Sequence, residues 1–157
     1  VLATLHTNNA PSAIARLVDL GADPFLIASS VLLVLAQRLA RRVCDGCGEP
    51  EEPDPSVLER LGPPPGGHDA NPDPRFRRGT GCRLCEGEGT RGRVAITELL
   101  AVSPAMRELV MERATERRLA DQARHDGLVS LREDAAARVW DGEVTAREAL
   151  RVTPDPI

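Results

Sequence analysis

Four cysteines constrain this chain more than any other feature. They stand as Cys44-Asp45-Gly46-Cys47 and Cys82-Arg83-Leu84-Cys85, and no other cysteine is present. A two-residue gap lets both thiolates of a pair turn inward on one tight loop, as a tetrahedral metal requires. Gly46 and Gly48 attend the first pair, and Gly79, Gly81, Gly87 and Gly89 attend the second. Backbone amides can therefore approach the sulfurs without a Cβ in the way. The pairs are separated by 34 residues, more than the roughly 15–20 usual in zinc ribbons, so the metal would close a long loop. Two disulfides are the first competing reading. They would strain a bond between neighbours three residues apart, and nothing else suggests a secreted chain. A single redox Cys-x-x-Cys is the second, and it fits two glycine-rich pairs poorly. The expectation is a structural Zn2+ held by Cys44, Cys47, Cys82 and Cys85. A closed four-thiolate set leaves no open position for catalysis.

Composition narrows the remaining choices. The chain has 157 residues, enough for one ordinary domain or two small ones. Hydrophobic residues make up 41% and aromatics only 2%, so any core is built from Leu, Val, Ala and Ile. All 20 basic residues are arginine. Without lysine there is no Walker A loop and no lysine-based catalysis within these residues. A net charge of −4 offers no overall field for nucleic acid. The apolar run Phe25–Ala36 is too short to cross a bilayer.

Read in order, Val1–Thr7 is expected as a buried strand, opening as the tail of a longer protein would. Asn9 and Pro11 start a helix carrying Ile14, Leu17, Val18 and Leu20, and Gly21 stops it. Asp23-Pro24 predicts a second, buried helix running to about Leu39. Glu49–Arg78 is proline-rich, with a short helix over Ser56–Leu61 capped by Ser56 and a solvated loop over Gly62–Asp73. His68 reads there as a surface residue. Arg93–Leu100 is a strand candidate, and Ser103-Pro104, Thr115, Ser130 and Thr145 each open a helix. The tail after Val152 is expected to fray.

The best chemical candidate is His6, in Thr4-Leu5-His6-Thr7-Asn8 at the end of the first expected strand. Ligands in α/β sheets lie beyond the carboxyl ends of strands. Such a polar cluster can donate to phosphate oxygens or orient water, although a capping or core histidine is the plainer reading of these residues alone.

Several motifs in one order carry a resemblance along nearly the whole chain. They are Leu2-Ala3-Thr4-Leu5-His6-Thr7-Asn8, Gln37-Arg38-Leu39, the two cysteine pairs, and Gly92-Arg93-x-x-Ile96-x-Glu98-Leu99-Leu100. The sequence resembles the C-terminal part of secretion-type P-loop ATPases, the type II secretion and type IV pilus assembly ATPases. The resemblance implies an α/β fold: the C-terminal part of a RecA-like domain (1–43), a four-cysteine zinc module with its proline-rich loop (44–91), and a strand with a small helical module (92–157). It implies a homohexamer at the cytoplasmic face of the inner membrane, using ATP and Mg2+ to drive assembly through an inner-membrane platform protein. His6 would be the γ-phosphate sensor of the family's histidine box, with Thr7 and Asn8 beside the nucleotide. Gln37 and Arg38 match a recurrent motif given no role beyond packing near the nucleotide domain. The family's Walker A and Walker B segments precede its histidine box and are not here, so this chain by itself is expected to be inactive. Ala95 stands where the family commonly has glycine.

A non-enzymatic zinc-ribbon adaptor for protein or nucleic acid is the alternative. Arg75, Arg77, Arg78, Arg83, Arg91 and Arg93 gather near the second pair, yet Phe76 is the one aromatic among them and Glu49-Pro50-Glu51-Glu52 opposes a basic face. A solvated arginine-rich face or a subunit contact is the reading carried forward, and no nucleic-acid partner is expected.

Overall fold

The computed structural model describes residues 1–66 and 75–153. Asn9 begins the first helix through a reciprocal cap. Its side chain accepts from the Ser12 amide at 2.8 Å, and its own N–H donates to the Ser12 hydroxyl at 3.2 Å. Helix α1 (Ala10–Asp19) follows, with Pro11 in the first turn where no donor is needed. The remaining order is α2 (Pro24–Ser30), β1 (Leu33–Val43), β2 (Gly48–Pro50), α3 (Pro55–Leu61), β3 (Arg77–Gly79), a single 3-10 turn (Arg83–Cys85), β4 (Thr90–Ala101), α4 (Pro104–Met111), α5 (Glu116–His125), α6 (Leu131–Trp140) and α7 (Ala146–Val152). β1 pairs with β4, and β2 pairs antiparallel with β3.

The chain divides into two units. One takes Val1–Ala36 and Thr97–Ser130, and the other takes Gln37–Ile96 and the residues from Leu131 on. In the first, α2 packs on α4 and α5 packs on both α1 and α4. Ile14, Ile27, Leu100, Met106, Val110 and Leu119 form its core, closed by the small side chains Ala10, Ala28 and Ala123. Truncating Ile14 or Met106, each almost fully buried, would cost about 2–5 kcal/mol. Ser103 and Thr115 cap α4 and α5 through their side chains, as their positions before Pro104 and Glu116 predict.

In the second unit α3, α6 and α7 pack on one another. Leu61, Leu131, Val139, Trp140, Val144 and Ala149 are buried there. Trp140 meets Phe76 edge to face with ring centroids 5.2 Å apart. The Glu148 side chain accepts from the Arg41 amide at 2.9 Å and from Arg151 at 2.6 Å.

Three sequence expectations are corrected. Val1–Thr7 is not a strand: it runs as irregular backbone with Val1, Leu2 and Leu5 exposed. Among the described residues no strand lies alongside it to take its hydrogen bonds, and a lone strand leaves its backbone groups unpaired. The helix expected to reach Leu39 stops at Ser30, and the rest of that apolar run is β1. Its burial alternates: Leu33, Leu35, Gln37 and Leu39 face out while Val34, Ala36 and Arg38 are half-buried. That period of two belongs to a strand, and Gln37-Arg38-Leu39 therefore lies within a ladder and not behind a buried helix. Asp54, not Ser56, caps α3: its carboxylate accepts from the Ser56 amide at 2.9 Å and from the Ser56 hydroxyl at 2.8 Å. Most of the proline-rich loop, with His68, and the tail beyond Thr153 lie outside the described residues. No helix among the described residues is long and apolar enough to cross a membrane.

Candidate functional site

The 34-residue gap between the cysteine pairs is closed by backbone pairing. β2 begins one residue after Cys47, and β3 ends three residues before Cys82. Their register sets Gly48 opposite Gly79, Glu49 opposite Arg78 and Pro50 opposite Arg77. A short ladder thus brings both pairs together, and the chain between leaves as an excursion carrying α3. The Cys44 N–H donates to the Gly89 carbonyl at 3.0 Å, and the Thr80 N–H to the Cys47 carbonyl at 3.0 Å. Gly79 and Gly89 cross at a contact only glycine allows: a Cβ on Gly79 would lie 1.8 Å from the Gly89 carbonyl oxygen. Arg77 props the first pair, donating to the Gly48 carbonyl at 3.3 Å with Asp45 3.9 Å away.

The four Sγ atoms all lie within 4.8 Å of one another. Cys44–Cys82, Cys47–Cys85 and Cys82–Cys85 stand 3.9, 3.7 and 3.8 Å apart. A disulfide would need about 2.05 Å, and all four cysteines are free thiols. Tetrahedral ligands about 2.3 Å from a metal are separated by about 3.8 Å, the spacing seen here. Amide donors point at the sulfurs: Gly81 N–H to Cys47 at 3.3 Å, and Cys82 and Gly89 N–H to Cys85 at 3.2 Å each. The Cys82 amide, helped by that of Gly89, pulls the Cys85 thiol down to about 6 against its burial. Burial pushes Cys47 up to about 11 despite the Gly81 amide, so neighbouring sulfurs compete for one negative charge. A cation among them lets all four be thiolates together. The donor set, spacing and amide cradle fit a bound metal ion.

His6, Thr7 and Asn8 lie on the segment leading into α1, in the other unit from the cysteines. His6 and Asn8 are exposed and Thr7 is half-buried. The Thr7 hydroxyl donates to the Asn9 carbonyl at 3.3 Å, tying the segment to the helix cap. The arginines near the second pair do not act alike: Arg75, Arg78, Arg83, Arg91 and Arg93 are exposed, whereas Arg77 is half-buried against the first pair.

Glu98 has a partner that no motif of the sequence marks. Its side chain accepts from the Ala10 amide at 2.6 Å across 88 positions of sequence. The signal was present as period: Ile96, Glu98 and Leu100 alternate onto one face of β4, and all three are buried. A carboxylate in such a row marks a specific partner.

The profile of the family described as T2SSE, Type II/IV secretion system protein, matches residues 1–151. The chain belongs to this family. Among type II/IV secretion system proteins it is 44% identical over 153 residues to the Type II secretion system protein E of Pseudomonas aeruginosa, a match covering 98% of this chain and 29% of that protein. It is 40% identical over 156 residues to the Type II secretion system ATPase E of Vibrio cholerae, covering 99% of this chain and 30% of that one. To the Type IV pilus assembly ATPase PilB of Thermus thermophilus it is 40% identical over 153 residues, covering 98% of this chain and 17% of that relative. The chain thus spans less than a third of the length of these relatives.

Proposed function

We propose that this chain serves as the C-terminal part of a hexameric motor ATPase that drives type II secretion or type IV pilus assembly. The observation that carries the reading is the family match over residues 1–151, with relatives named as secretion and pilus ATPases. On this reading the whole protein uses ATP and Mg2+ through a RecA-like P-loop domain. It works at the cytoplasmic face of the inner membrane on a platform protein. The present residues alone neither bind ATP tightly nor hydrolyse it, since they contain no lysine to reach the phosphates.

Zn2+ is the ion proposed for Cys44, Cys47, Cys82 and Cys85, because four thiolates at tetrahedral spacing suit a borderline-soft cation without redox chemistry. Bound there, it supplies a cross-link and no reaction centre. His6 is proposed as the γ-phosphate sensor, with Thr7 and Asn8 adjoining the nucleotide. An exposed imidazole on a segment tied to a helix cap can donate to the terminal phosphate and register its loss.

ATP turnover by the full-length protein and its His6→Ala variant tests the reading. The variant is expected to lose about tenfold to a thousandfold in kcat, the range for one transition-state donor, with nucleotide affinity changed far less. Equal turnover in the two proteins, with folding and hexamer formation intact, removes His6 from the nucleotide site. Turnover by the 157-residue chain alone at motor-enzyme rates would overturn the division of labour proposed here. Secretion and pilus duty separate by gene neighbourhood: adjacent pseudopilin and secretin genes indicate the former, a retraction-motor gene the latter.

A further inference from the structure

Glu98 is 4% exposed, and it shares its strand face with Leu100, a member of the apolar core around Ala10 and Ile14. A carboxylate in such surroundings is costly unless its oxygens are hydrogen-bonded. Here one oxygen takes the Ala10 N–H at 2.6 Å, the backbone-donor pairing that a buried carboxyl needs. Ala10 is the first residue of α1, and its amide is one of the donors that a helix start leaves without an internal acceptor. The positive end of the helix favours a negative group at that point.

Helix formation by itself does not require this contact, because Asn9 and Ser12 already cap α1 reciprocally. The carboxylate adds a fixed position: it ties the start of α1 to a strand 88 residues further along the chain. The residues just before that anchor are His6, Thr7, Asn8 and Asn9, and the Thr7 hydroxyl binds back to the Asn9 carbonyl. We infer that Glu98 is the positioning residue of this histidine-bearing segment, holding its root on β4 so that His6 is presented from a fixed point. The functional consequence rests on the nucleotide reading of His6 given above.

Amide exchange on the 157-residue chain tests the anchor directly. In Glu98→Ala the Ala10 amide should lose at least about tenfold in protection, with faster motion at Thr7 and Asn8, while mid-helix amides such as Ile14 and Leu17 hold theirs. Glu98→Gln keeps a carbonyl acceptor and should stay within about threefold of wild type. Unchanged protection at Ala10, or an equal fall across α1, α4 and α5, would overturn the proposal in favour of plain core packing. A second arm measures turnover of the full-length protein. If Glu98 acts through the segment, Glu98→Ala lowers kcat with little change in KM, and the double variant with His6→Ala is no slower than His6→Ala alone. Losses that multiply would mean that Glu98 acts elsewhere. A silent His6→Ala beside a changed Ala10 amide would discard the nucleotide role of His6 and keep the anchor.

Discussion

Removing the metal ion proposed for the four cysteines should destabilise the cysteine-bearing unit by an amount that loop length bounds from below. The cross-link closes a 36-residue loop from Cys47 through Cys82. The chain-entropy relation for a covalent cross-link of that length gives about 13 cal/mol/K, or about 4 kcal/mol at 25 °C. This is a lower figure, since it omits the metal–thiolate bonds themselves, and structural zinc sites bind with about 10–16 kcal/mol of apparent free energy. A domain has only about 5–15 kcal/mol of stability in all. Chelation should therefore bring the cysteine-bearing unit close to unfolding. Trp140 reports on that unit: it is the only tryptophan, is buried, and contacts Phe76 beside β3. At about 2 kcal/mol per molar urea, losing 4 kcal/mol moves the fluorescence midpoint down by about 2 M. A Cys44→Ser/Cys85→Ser variant should unfold near the chelated midpoint and gain nothing from added zinc. A midpoint that shifts by less than about 0.5 M on chelation, with the double variant unfolding like wild type, would refute both the metal and the cross-link.

Two further outcomes follow from single contacts. Gly79→Ala would force a Cβ to within 1.8 Å of the Gly89 carbonyl, so it should cost about 1–3 kcal/mol or more and lower metal content per chain. Full metal content at wild-type stability would show that the crossing can relax. The Arg151 guanidinium, with the Arg41 amide, holds the Glu148 carboxyl below its ordinary value. A folded value below the unfolded one means that Glu148 contributes fully above about pH 4.3 and loses that contribution as pH falls through the folded value. Glu148→Gln should thus be less stable than wild type near pH 7, with the gap in Tm closing on acidification toward pH 3; a gap constant across that range counts against the ion pair.

The parts of the fold legible in the sequence are those whose determinants lie close together in it. Asn9 with Ser12, Ser103 before Pro104 and Thr115 before Glu116 each specify a helix start within four residues, and α1, α4 and α5 begin there. The cysteine pairs are legible for the same reason, since each two-residue gap is a complete local geometry. β1 was not, because Val31–Ala36 is apolar on every face and shows neither a helical nor a strand period. What makes it a strand is pairing with β4, separated from it by more than forty residues. The thirty-four-residue separation also hid how the cysteine pairs meet. That depends on the Gly48–Gly79 register, and two three-residue strands carry almost no pattern of their own. The Glu98–Ala10 contact joins the two chain segments of the first unit, and only the row of alternating residues on β4 hinted at it.

The ladder that closes the cysteine loop also decides how the two cysteine pairs face each other. Once Pro50 and Arg77 are opposite each other, Gly48 and Gly79 are opposite as well, and the two cysteine pairs meet with their sulfurs within 4.8 Å of one another. The outgoing limb is fixed where α3 packs on α6 and α7, and the return is fixed where the Arg75 N–H meets the Trp140 carbonyl at 2.8 Å. Register between the two cysteine pairs is therefore set by three backbone pairs, and not by the residues that separate them in sequence.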